Sequence, residues 1–147
     1  MSRYQLVIIQ KEIALQYYQS EGKLYRLFLD YHHAYEWARP VLEKQIRYIT
    51  EGIGIEDWNR FIHSQLEKIG YQMIPSRSGN ALFYHSPITG SNLRIEDSAI
   101  IFDHAGDAKE EWEVFDCLKQ VSPCVFAVNI ERSIYGWLKP LKVFSVL

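Results

Sequence analysis

A metal centre or a nucleophile would have to be assembled from histidine, cysteine and carboxylate side chains, and this sequence spaces them poorly for either purpose. His32 and His33 lie near Asp30 and Glu36. Adjacent residues on a helix point about 100° apart, so the two rings cannot jointly face one ion. Only an Asp30–His33 type of pair survives, which favours a packing contact of Tyr31 and His32 beside solvated neighbours. Cys117 and Cys124 are seven positions apart, lack the close paired-ligand spacing of zinc sites, and have only His104 nearby. Both read as structural thiols. Ser122-Pro123-Cys124 precedes an apolar run rather than opening a strand–nucleophile–helix turn. There is no Gly-rich phosphate loop and no pair of histidines on one helix face, and the carboxylates are scattered. The expectation is therefore a protein with no metal, no cofactor and no catalytic site. One catalytic alternative stays open, a small hydrolase or transferase, and it requires His85, His104 and Cys124 to converge from distant segments.

Bulk properties narrow the remaining classes. The chain has 147 residues, 48% of them hydrophobic, enough for one domain spanning residues 1–147 with a sizeable core. A net charge of −2 gives no cationic footprint for phosphate backbones, which argues against direct binding to nucleic acid. Two cysteines suit a reduced cytoplasmic protein, and the apolar run Leu6 to Ile9 is far too short for a signal-peptide core or a membrane span. The aromatic fraction of 14%, with ten Tyr and four Trp, exceeds what a core of this size obviously needs. Tyr and Trp combine an apolar body with a polar tip, so the surplus points to either a core or an interface.

Those side chains must be positioned by regular elements, and the sequence marks most of them. Leu6-Val7-Ile8-Ile9 reads as a central strand buried on both faces. Helices are expected at about 11–20, 23–34 and 38–50, with Pro40 tolerated in the first turn of the third. Trp58, Ile62, Leu66 and Ile69 recur at helical spacing up to a stop at Gly70. The period then changes. Tyr71–Ile74, Ala81–His85, Leu93–Glu96 and Ala99–Phe102, divided by Pro75, Gly79, Pro87 and Gly90, read as an antiparallel meander. Asp107 can cap a fifth helix whose Trp112, Phe115 and Leu118 make an inward stripe, and Val125–Ile130 is the last strand. The fold class is α+β: a mixed, largely antiparallel sheet with helices packed on it.

Two helices carry more apolar surface than one core uses. In the first, Ala14, Leu15 and Tyr18 fall on one side while Ile13 and Tyr17 fall nearly opposite. In the third, Leu42, Ile46 and Ile49 form the expected inward stripe, yet Tyr48 lies about 120° from its centre with Gln45 between. Ile13 with Tyr17 and Gln45 with Tyr48 each share a helix face. These faces either pack against one another or under a loop, or they stay in water until a partner protein covers them. The second option requires that Tyr17 and Tyr48 be replaceable without unfolding the chain.

The phrases Leu29-Asp30-Tyr31-His32, Glu43-Lys44-Gln45-Ile46-Arg47-Tyr48-Ile49-Thr50, Val121-Ser122-Pro123-Cys124 and Tyr135-Gly136-Trp137-Leu138-Lys139-Pro140 together resemble the SirA family, the sporulation inhibitors of replication of endospore-forming bacilli. The resemblance is carried by residues 3–50 and 113–142. It implies a cytoplasmic, non-catalytic inhibitor that binds domain I of the replication initiator DnaA and keeps it from acting at the chromosomal origin. It also implies a contact surface on the first helix and on the EKQI-type helix, which here means Ile13, Tyr17, Gln45 and Tyr48. Those are the same four residues set aside by periodicity. Position 13 departs from the pattern, because the family can carry Phe where this chain has Ile. Pro140 matches a functionally sensitive family position, against the plainer role of a rigid turn that finishes the fold. A generic adaptor using the same face on another partner is the alternative.

Overall fold

The computed structural model describes residues 2–75 and 79–139. Its elements run β1 (Ser2–Ile9), α1 (Lys11–Gln16), α2 (Glu21–His33), α3 (Arg39–Ile49), β2 (Thr50–Glu51), α4 (Ile55–Lys68), β3 (Gln72–Ile74), β4 (Ala81–His85), β5 (Asn92–Glu96), β6 (Ile100–His104), α5 (Ala108–Lys119), β7 (Val125–Asn129) and β8 (Ile134–Trp137). The sheet order is β3-β4-β5-β6-β1-β7-β8, with β2 also on β1, and the pairings are antiparallel throughout the described residues. The α+β expectation holds. So does the interior position of β1, whose residues Leu6, Val7, Ile8 and Ile9 are all buried.

Alternation along the strands builds two different faces. Tyr84, Leu93, Phe102 and Tyr4 sit directly opposite one another across four strands, and Leu82, Ile95, Ile100, Leu6 and Ala127 form the next row. Helices α4 and α5 cover this face. Phe115 of α5 meets Tyr4 edge-on at 5.2 Å, and the Tyr84 hydroxyl donates to Asn59 Oδ1 of α4 at 2.7 Å. On the opposite face α2 lies over β7 and β8, with Phe28 against Phe126 and Tyr25 stacked on Tyr135 at 4.4 Å. Helix α3 packs beside α2 and contributes no buried residue.

Local chemistry explains the boundaries. Trp58, Ile62 and Leu66 give α4 one buried stripe, and the helix ends on Gly70 at φ 96. There the Tyr71 N–H donates to Leu66 O and the Gly70 N–H to Glu67 O, a Schellman closure that needs a left-handed residue. Asp107 caps α5 as expected, accepting from the Glu110 N–H at 3.0 Å. The α5 stripe is different from the one expected. Trp112 is 72% exposed, whereas Glu110, Val114, Cys117 and Leu118 are buried. The buried arc is centred on 114, 117 and 118, and Trp112 lies about 160° round the helix from Val114.

Three further differences concern the ends of the chain. Helix α1 stops at Gln16 rather than near residue 20, because only Ala14 anchors it and a helix this short depends on packing. Within it Leu15, which shares a side with the buried Ala14, is 50% exposed, and Ile13 and Tyr17 rest half-buried against the core. Strand β8 was not foreseen as a strand. Its four residues include Gly136, and its pairing to β7 depends on a turn in which Asn129 Oδ1 accepts from the Arg132 N–H and Ser133 adopts φ 54.

Glu110 is the one buried carboxylate among the described residues, and it ties α5 to the turn between β4 and β5. Thr89 Oγ1 donates to Oε2, and Ser91 Oγ donates to Oε1 at 2.5 Å. Each hydroxyl also accepts from the backbone, Ser91 Oγ from the Ala105 N–H at 2.8 Å and Thr89 Oγ1 from the Ser91 N–H at 3.3 Å. Their protons are thereby committed to Glu110. Gly106 leaves room for this carboxylate, since a Cβ there would stand 2.6 Å from Oε1.

Buried hydroxyls and thiols weaken the fold at high pH, with Tyr4, Tyr71 and Cys124 pushed up by burial in the same sense as Tyr84 and Cys117. Burial pushes the Tyr84 hydroxyl from 10.0 up to about 12 and the Cys117 thiol from 9.0 up to about 11. Both shifts favour the protonated native form. The unfolded chain releases these protons first, so stability is whole below about pH 9 and falls as pH rises towards the native values near 11 and 12. The urea midpoint is expected to drop steadily across that window, and Cys117→Val is expected to make the drop shallower while the raised Cys124 thiol keeps its onset near pH 9. A midpoint that is level up to pH 11 would refute this.

Candidate protein-binding surface

The four residues singled out from the sequence come from segments 28 or more positions apart, and Gln10, at the entrance to α1, links those two segments. Gln10 follows β1 directly. Its N–H donates to Ile49 O at 2.8 Å, and its Nε2 donates to Tyr48 O at 2.8 Å and to Thr50 O at 3.4 Å. The strand pairs Ile8 with Glu51 and Ile9 with Thr50, which extends the same seam. Thr50 Oγ1 donates back to Ile46 O at 2.8 Å and closes the end of α3. The start of α1 is thus pinned to the last turn of α3.

The exposures differ within the group. Tyr48 is 75% exposed and Gln45 is exposed, while Ile13 and Tyr17 are half-buried with one side against the core. Ile46 and Ile49 take the inner side of α3, as the stripe required, but they too are only partly covered. Tyr35, Trp37 and Val41, not singled out from the sequence, are likewise exposed just upstream on the same helix and its leading turn. Their signal was available in the i, i+4 spacing of Val41 and Gln45. Pro140 lies outside the described residues.

The residues of the catalytic alternative are kept apart by the sheet. His104 pairs with Ser2 at one end of β1, and Cys124 binds Ile9 at the other, a separation of about 20 Å at strand rise. His85 stands opposite Asn92, which stands opposite Asp103, so it lies on the other face from His104. Cys117 and Cys124 are free and buried, and burial raises both thiols, which disfavours a thiolate. His104 Nε2 donates to the Asp107 carbonyl at 2.8 Å, a structural bond at the entrance to α5. His32 and His33 are exposed and meet edge to face at 5.1 Å, Asp30 pairs with Arg26, and Tyr31 lies under the Arg39 guanidinium. Among the described residues no helix is long and apolar enough to cross a membrane.

The chain is thus an α+β protein whose antiparallel sheet carries α1 and α3 joined at the Gln10 seam, with the Gln45 and Tyr48 side chains turned to water. The family model described as sporulation inhibitor of replication protein SirA matches residues 2–142. The chain is also 30% identical over 153 residues to the sporulation inhibitor of replication protein SirA of Bacillus subtilis (strain 168), covering 95% of this chain and 94% of that protein. It belongs to the SirA family.

Proposed function

We propose that this chain inhibits the initiation of DNA replication during sporulation by binding domain I of the initiator DnaA through the joined face of α1 and α3. The observation that carries the reading is Tyr48, 75% exposed beside Gln45 on a helix end that Gln10, the residue before α1, holds by a hydrogen bond to the Tyr48 carbonyl. Family membership supports the inhibitory role, and the matched Bacillus subtilis protein bears it in its name. Inhibition is stoichiometric and steric: Tyr17 and Tyr48 anchor in domain I, Gln45 orients by hydrogen bonding, and an occupied domain I no longer supports origin complexes. No step of it needs catalysis, a cofactor or direct contact with DNA, and a net charge of −2 is in keeping with a protein rather than a nucleic-acid target. Ile13 fills the position where the family can carry Phe, with a smaller apolar contact.

Isothermal titration of the chain into isolated, folded DnaA domain I is expected to give saturable one-to-one binding. A flat titration at concentrations tens of micromolar and above overturns the reading, and capture of a different protein by the same face would favour the adaptor alternative.

A further inference from the structure

The four residues of the proposed contact make too small an interface by themselves. Specific complexes cover roughly 800 Å² on each partner. Two aromatic side chains offer about 150–250 Å² each when wholly exposed. Here one of them, Tyr17, is already half covered, as is Ile13. The surface must extend, and α3 shows the direction. Trp37 is 81% exposed, Val41 59% and Tyr48 75%, with Gln45 exposed between the last two. Trp37 precedes the helix by two residues, but the turn is already helical: the Arg39 N–H donates to Tyr35 O at 3.1 Å, and Ala38 has φ −90 and ψ −23. At about 100° per residue, positions 37, 41, 45 and 48 therefore fall within an arc of about 80°. They form one ridge about 17 Å long.

We infer that Trp37 and Val41 are binding residues for the same partner, so that DnaA domain I covers the whole ridge from Trp37 to Tyr48 rather than its last turn alone. The inference rests on the proposed function above. Its occupant is fixed by continuity: a body seated on Gln45 and Tyr48 meets Val41 one turn away on the same line, and Trp37 one turn beyond. The inner residues Leu42, Ile46 and Ile49 stay with the fold, so the ridge can be covered without rearranging the core. The complementary surface on domain I must be an apolar groove or face able to take an indole and a Val side chain in line with a tyrosine.

The test compares Trp37→Ala, Val41→Glu, Tyr48→Ala and Trp112→Ala by isothermal titration against DnaA domain I, with thermal midpoints recorded for each. Trp37→Ala and Val41→Glu are expected to weaken binding about tenfold or more with unchanged midpoints. Trp112→Ala, on α5 over the other face of the sheet, is expected to bind as the parent does. Loss at Tyr48 with full affinity for both Trp37→Ala and Val41→Glu overturns the extended ridge and leaves the proposed function standing. Full affinity for all of them, or no binding by the parent chain, overturns that function itself. Equal loss with Trp112→Ala also overturns the ridge, because the effect would not be confined to it.

Discussion

Replacing Tyr48 with alanine is expected to weaken binding to DnaA domain I by about 30-fold or more, the loss of one interface anchor, while the thermal midpoint is preserved. The two readouts separate because Tyr48 is 75% exposed and α3 contributes no buried residue, so truncation removes nothing from the core. Tyr17→Ala is expected to behave differently. From the sequence both tyrosines should be replaceable without unfolding, but Tyr17 caps α1 and rests half-buried against the core. Its removal should weaken binding and also lower stability by about 1 kcal/mol, half the burial value of such a side chain. Titration calorimetry and thermal unfolding on both variants check this, and a Tyr48→Ala protein that binds within threefold of the parent would remove Tyr48 from the interface.

The largest stability effect is expected at Glu110, on α5 over the other face of the sheet from the proposed docking surface. Glu110→Ala leaves the buried Ser91 hydroxyl and the partly buried Thr89 hydroxyl with their protons aimed at nothing, since each already accepts from a backbone N–H. Unpaired buried polar groups are expensive, so a loss of about 3 kcal/mol follows, or roughly 6–12 °C in the thermal midpoint. Glu110→Gln is not expected to rescue it. The amide presents a donor to one hydroxyl whose own proton points at it, and rotating that hydroxyl gives up its backbone partner. Binding to DnaA domain I should persist in both variants at temperatures where they remain folded. A midpoint within 2 °C of the parent for Glu110→Ala would show that water replaces the carboxylate at no loss.

Much of this was legible in the residues themselves. The β-branched run at Leu6–Ile9 announced a strand buried on both faces, and the 58-62-66 spacing with Gly70 announced α4 and its end, because both signals are local and periodic. The strand order was not legible, since it is set by which rows of side chains match across the sheet. Trp112 misled because an apolar residue flanking a stripe is indistinguishable by type from one within it, and Glu110 was missed because a carboxylate reads as solvated until two hydroxyls from a distant turn surround it. Strand β8 was hidden by Gly136 in a run of four. At the proposed site, periodicity and resemblance selected the same four positions. What neither could supply was the Gln10 seam that ties the start of α1 to the end of α3, because it links residue 10 to residues 48, 49 and 50 through hydrogen bonds rather than through any pattern.

The absence of buried side chains from α3 also bears on how such a protein evolves. Substitutions along its outer side escape the purging that removes destabilising changes from cores. If the ridge docks the partner proposed above, it can vary in step with that partner's surface, and two relatives could share a scaffold while discriminating between cognate and foreign targets. On the proposed function, selectivity would be written on the outer side of a helix whose inner side, Ile46 and Ile49, keeps the contact with the core.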